Sequence, residues 1–172
     1  MTEFRKRSLF RSFLRIFPIF LLYVAVFNEF DLNHLNIKYL SFNFAYILIF
    51  YWSLKKIDYF GYGLIFIAGV VNDVVTGMPL GLSSFCYMLL CAASSYLRSI
   101  TLRPNIVKDW FFFLVTISTV NSIYFMILSL IFLIEIDYVF ILINNFFTFL
   151  FFIVFYFIFN FYFEKFMARS DV

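Results

Sequence analysis

The chain has 172 residues, of which 65% are hydrophobic and only 13% are charged. Because soluble globular domains carry about 25% charged residues, this composition excludes an ordinary soluble domain and predicts an integral membrane protein. The formal net charge is +3, and we expect no nucleic-acid partner.

A basic segment, residues 1–15, precedes the first apolar stretch. Arg7, Arg11 and Arg15 recur every four residues, so they share one face of a helix. We expect this segment to be a cytoplasmic amphipathic helix whose arginines lie near anionic lipid headgroups. A docking face for an acidic cytoplasmic partner is the alternative.

Long stretches with few charges follow this segment. A spanning helix needs about 20 apolar residues, so the stretch that follows Asp58 is long enough for two helices. The predicted fold is therefore all-α, with six transmembrane helices in a single membrane domain. The predicted spans are 16–30, 38–54, 59–76, 79–97, 110–134 and 138–163.

The distribution of basic residues gives an orientation to these six spans. Every Lys and Arg except Lys38 falls on the same side as the two termini. Since cytoplasmic loops carry an excess of Lys and Arg, this side is expected to be cytoplasmic. The sequence thus predicts cytoplasmic N- and C-termini and places residues 28–38 outside.

All five glycines lie in one window, from Gly61 to Gly81, which also contains Asp73. An ionised side chain at membrane depth costs about 2.5–3.5 kcal/mol, so it needs a partner, a wet cavity or a function. Gly69, Asp73 and Gly77 are spaced by four and share one helical face. The two glycines are expected to let a neighbouring backbone approach on either side of the carboxylate.

A turn is predicted at the end of this face. Gly77 suits a left-handed helix end, and Pro79 suits the first turn of the next helix. Asp73 then lies one turn before a helix C-terminus, where the helix dipole disfavours a negative charge. Free backbone N–H groups near Leu80 to Leu82 can receive the carboxylate as a cap does. A structural cap and a partner-binding or conformational role are the two alternatives for Asp73.

The fifth and sixth spans contain a few polar side chains among many aromatic ones. An unpaired amide in hydrocarbon is costly, so these polar side chains are expected to face protein and to form hydrogen bonds between helices. The phenylalanines of the sixth span, Phe151 among them, are expected to face lipid. The polar residues are Asn121, Ser122, Asn144, Asn145 and Thr148.

The sequence offers no constellation for catalysis. Ser83 has no embedded His or Lys to activate it, and Asp73 lacks the second carboxylate of an aspartyl site. Cys86 and Cys91 are expected to be buried small hydrophobic residues, and His34 is too isolated for a metal site. We therefore expect a protein that is not an enzyme and that has no metal and no cofactor.

The predicted hairpin resembles the signature hairpin of the bacterial rod shape-determining protein MreD family. The layout of the chain is similar too, with about this length, six spans, a basic N-terminus and almost no extramembrane domain. Outside the hairpin the similarity is one of layout. The residues that carry the resemblance are Gly69, Asp73, Gly77, Pro79, Leu80 and Gly81.

This resemblance implies a non-catalytic scaffold of the cell-wall elongation machinery in a bacterial inner membrane. It implies binding to the bitopic protein MreC and, through it, to the MreB filament and the RodA glycosyltransferase with its transpeptidase. The family's fold is similar to that of the substrate-binding subunits of energy-coupling-factor transporters. A small-molecule or lipid-binding membrane subunit of such a transporter is therefore the alternative function.

Overall fold

A computed structural model of the chain describes residues 17–27, 41–55, 61–101, 105–134 and 137–167. These residues form an all-α bundle of six helices. A π-helical turn, Phe163–Met167, continues the last helix. The helices are α1 (Phe17–Phe27), α2 (Phe44–Lys55), α3 (Tyr62–Thr76), α4 (Leu82–Ile100), α5 (Ile106–Ile131) and α6 (Tyr138–Tyr162).

Helix α2 is the centre of the bundle. All of its residues from Phe44 to Ser53 are buried. The side chains of α2 are apolar on nearly every face, which is the pattern of a helix enclosed by other helices. Helix α2 packs against α4 and α6, and α4 in turn packs against α3 and α5.

Aromatic rings hold α2, α5 and α6 together. The ring centroids of Phe113 and Phe152 lie 4.3 Å apart, and Phe50 lies 4.9 Å from Phe113. Each such pair contributes about 0.5–1.5 kcal/mol beyond its buried area. Phe151 is also partly buried, with its ring centroid 4.6 Å from that of Phe42. The prediction that Phe151 faces lipid is therefore wrong, because the core-facing side of α6 is built from phenylalanines as well.

The helices differ in length and in how apolar they are. Two helical runs, Ile106–Ile131 and Tyr138–Lys165, are long and apolar enough to cross a membrane. Helices α1, α2 and α3 are apolar but shorter in the described residues. The outward face of α6 carries exposed apolar side chains every three or four residues. They are Leu142, Phe146, Leu150, Val154, Phe157 and Phe161.

Capping side chains set where several helices begin. Asn43 caps α2, with its Oδ1 accepting the N–H of Tyr46 at 3.1 Å, so this helix begins later than the predicted span 38–54. Asn105 caps α5, which begins before the predicted start at residue 110. Asp137 caps α6. Each predicted span overlaps one helix; the starts of α2 and α5 differ from the prediction, whereas α6 begins at Tyr138 as predicted.

The bundle has two chemically different ends. At the end that we call the cavity end, the last turns of α1, α3 and α5 and the first turns of α2, α4 and α6 surround one cavity. We call the opposite end the basic end. Of the residues that the structure describes, it carries all the Lys and Arg side chains, which are Lys55, Arg98, Lys108 and Lys165.

Candidate functional site

Asp73 connects the two helices of the α3–α4 hairpin. Its side chain is completely buried. The carboxylate accepts the N–H of Gly81 at 2.7 Å and the N–H of Ser83 at 3.0 and 3.3 Å. These donors belong to the first turn of α4, where backbone N–H groups lack helical partners and the helix dipole favours an anion. The predicted capping contact is therefore present, with Gly81 and Ser83 as its donors.

The turn of the hairpin depends on two glycines in the left-handed region. Gly77 ends α3 with a φ of 67°, as predicted, and its N–H donates to the carbonyl of Asp73. Gly81 precedes α4 with a φ of 94°, which the sequence analysis missed. Pro79 lies in the turn, since α4 begins only at Leu82. The prediction that Pro79 occupies the first turn of the next helix is wrong.

Gly69 is the point at which α3 and α4 come closest. A Cβ atom at Gly69 would lie 2.4 Å from the Cα of Ser84, so no other residue fits there without moving the helix backbone. The Ser84 hydroxyl also donates to the carbonyl of Phe66 at 2.8 Å. A Cβ at Gly77, in contrast, would meet nothing within 4 Å. The predicted close backbone approach is correct for Gly69 and wrong for Gly77, whose role is conformational.

The amide side chains of α5 and α6 bond to neighbouring elements. Asn121 donates to Asn145 across the two helices. Asn144 donates from its Nδ2 to the hydroxyl of Ser41 at 2.7 Å. Ser122 is exposed, so the prediction that it faces protein is wrong. Asn121 and Asn144 therefore bond to other elements of the bundle, whereas the exposed Ser122 does not face protein.

The cavity lies next to the hairpin and these amides. Its volume is about 460 Å³, and all six helices contribute to its lining. The buried side chains of Tyr46, Tyr87 and Asn121 line its floor, whereas exposed side chains such as Phe140 lie at its rim. Asn72 lines the wall and donates to the hydroxyl of Ser83 at 3.0 Å. Both helices of the hairpin therefore form part of the cavity wall.

A second polar cluster lies at the basic end. Lys55 donates to the Oδ1 of Asn160 at 3.2 Å, and its ammonium lies 5.6 Å from the ring centroid of Tyr156. The ammonium of Lys55 interacts electrostatically with the carboxylates of Asp109 and Glu164, of which Asp109 is buried. The opposite charges of Lys55 and Asp109 therefore compensate each other at the basic end.

The arginines of the basic segment and the cysteines of α4 are also among the residues considered in the sequence analysis. Arg7, Arg11 and Arg15 lie outside the described residues. Cys86 and Cys91 are buried, as predicted, and the Sγ of Cys91 lies 3.4 Å from the hydroxyl oxygen of Ser53. In the ranges that the structure describes, His, Cys, Asp and Glu side chains do not gather in groups of three or more.

Comparison with known proteins does not assign the chain to a family. No protein-family model, curated protein or solved structure matches the chain. The hairpin around Asp73 and the adjoining cavity are therefore the features from which a function is inferred.

Proposed function

We propose that the chain is a six-span membrane protein. The exposed apolar stripe along α6 supports this proposal, because contiguous apolar surface of that length is unfavourable in water and favourable against lipid tails. The shorter helices are compatible with it. Helix α2 is enclosed by the bundle, and non-helical backbone at membrane depth is tolerated where protein surrounds it.

The proposed orientation places the basic end in the cytoplasm of a bacterium and the cavity end outside. We expect reporter fusions at Phe4 and Val172 to show cytoplasmic activity, and an insertion between residues 28 and 38 to show external activity. The reason is the charge distribution, since the described Lys and Arg side chains lie at the basic end. An external reporter signal from either terminus would contradict the six-span topology.

Within that membrane, the proposed function is a non-catalytic scaffold of the MreD type that controls rod shape by binding MreC and associated elongation proteins. The observation that carries it is the hairpin around Asp73. Its carboxylate accepts two backbone N–H groups from the start of α4, which ties α3 to α4. The outer surface of this hairpin is apolar, since Val74 and Leu80 are 65% and 72% exposed. An apolar surface on two connected helices suits binding to a partner helix.

Co-purification from membranes tests the scaffold. We expect the wild-type chain to recover MreC, a protein with a single span and a periplasmic domain. Leu80→Ser is expected to reduce that recovery roughly fivefold to tenfold, because buried interface side chains carry most of the binding energy. Leu133→Ser is the matched control, since Leu133 is 83% exposed at the same end but lies outside the hairpin. Equal recovery with both variants would contradict the assignment of the hairpin as the binding surface.

The cavity favours a second candidate function, a small-molecule or lipid-binding subunit of an energy-coupling-factor-type transporter. Its volume of about 460 Å³ and its mixed lining are those of a ligand site. The same co-purification separates the two functions. ATPase subunits in the recovered complex, in place of MreC, would favour the transporter.

A further inference from the structure

The lining of the cavity combines polar and apolar side chains. Tyr46, Tyr87 and Asn121 bring hydroxyl and amide groups to the buried floor. Ile134 and Phe140 bring exposed apolar side chains to the rim. A volume of about 460 Å³ lies within the usual range of small-molecule sites, roughly 300–1,000 Å³. The cavity therefore has room for a molecule with a polar and an apolar part.

The charges around the cavity restrict that molecule. Among the described residues that line it, Asp137 is the only charged side chain, and none is Lys, Arg or His. The carboxylate of Asp137 already accepts the N–H groups of Val139 and Phe140 as the cap of α6. Because an unpaired charge is costly to remove from water, the cavity disfavours an anionic ligand such as a phosphate or a carboxylate.

Two amides in the lining keep unused hydrogen-bonding capacity. Asn43 uses its Oδ1 to cap α2, and Asn72 uses its Nδ2 to bond Ser83. Within the part of the chain that the structure describes, the Nδ2 of Asn43 and the Oδ1 of Asn72 have no partner. One is a donor and the other an acceptor, which matches a hydroxyl or an amide group.

We propose that the cavity binds an uncharged small molecule whose hydroxyl or amide groups bond Asn43 and Asn72. The apolar part of this ligand lies against Ile134 and Phe140 at the rim. A free solute and the headgroup of a neutral lipid share this chemistry. The inference does not depend on the scaffold or on the transporter, because it rests on the cavity alone.

Binding of a matched set of probes tests the proposal. The full chain in lipid nanodiscs is titrated with hexyl β-glucoside, hexyl phosphate and hexylammonium, which share one tail and differ in charge. Empty nanodiscs measure partition into the lipid. We expect saturable binding of hexyl glucoside, at least about tenfold tighter than that of hexyl phosphate. Competition in the nanodiscs identifies the source, since displacement of hexyl glucoside by added diacylglycerol indicates a neutral lipid and no displacement indicates a free solute.

A substitution at Asn43 locates the binding. Asn43→Asp keeps the oxygen that caps α2 but replaces the free donor with an anionic acceptor. We expect the affinity for hexyl glucoside to fall about fivefold to tenfold and that for hexylammonium to rise. Asn105→Asp is the matched control, because it makes the same change in the cap of α5 at the basic end. It should leave both affinities unchanged.

Asn43→Ser, which also retains a capping oxygen, repeats the comparison without a new charge if the aspartate variant does not fold. The proposal would be overturned by equal affinity for the three hexyl compounds. It would also be overturned by loss of affinity in both aspartate variants, or by unchanged affinity in every Asn43 variant that folds.

Discussion

Gly69→Val is expected to prevent α3 from packing against α4. The first atom of any larger side chain would lie 2.4 Å from the Cα of Ser84, and the obstacle is backbone, which cannot rotate away as a side chain does. Overpacking against movable side chains costs about 1–3 kcal/mol, so we expect the free energy of unfolding to fall by at least ~3 kcal/mol. Membrane abundance and the thermal unfolding midpoint of the purified chain measure this effect.

Gly63→Val is the matched control for that substitution. Gly63 lies in the same helix, and a Cβ there would meet nothing within 4 Å. Valine and glycine differ little in helix propensity, so this variant should accumulate and unfold like the wild-type chain. Equal unfolding midpoints for the Gly63 and Gly69 variants would show that the two helices do not approach each other closely at Ser84.

Asp73→Leu is expected to have an effect of comparable size through hydrogen bonding. It leaves the N–H groups of Gly81 and Ser83 without their acceptor in a buried site. Each unsatisfied buried group costs about 1–3 kcal/mol, which predicts a loss of roughly 2–6 kcal/mol. Asp73→Asn should be less harmful, because one oxygen remains for Gly81, although its amide then faces the N–H of Ser83. Membrane abundance is expected to be highest for the wild-type chain, lower for Asp73→Asn and lowest for Asp73→Leu.

If the chain has the proposed scaffold function, rod-shape complementation with the same variants separates the cap from a role of the charge itself. If the carboxylate only caps α4, complementation follows abundance in both variants. If the charge is needed for a partner or a conformational change, Asp73→Asn loses complementation although it accumulates like the wild type. That second pattern would contradict the purely structural interpretation of Asp73.

The features of this fold that were predicted correctly are those determined by local chemistry. The end of α3 at Gly77 follows from glycine's access to the left-handed region, and the cap follows from a buried charge one turn before that end. Neither requires knowledge of distant residues. The same holds for the buried cysteines, which lie on an otherwise apolar helix.

The features that were missed depend on how helices pack. In α6 nearly every residue is apolar, so no period distinguishes Phe152 in the core from Phe157 on the outside. Phe151 was assigned to lipid for that reason. The cavity was missed because its lining comes from six helices, yet a signal existed. Polar residues such as Asn43, Asn72 and Asn144 all fall near the predicted outer ends of their spans.

The hairpin around Asp73 supplies its own hydrogen-bond donors to the carboxylate. The two backbone donors that solvate the carboxylate follow it by only eight and ten residues along the chain. A loop this short closes at little entropic cost, and both donors belong to the hairpin itself. In a bilayer, α3 and α4 are thus able to partition as a pair that carries its own substitute for water around the anion. The ionised residue need not wait for later helices to be synthesised before it leaves the aqueous phase.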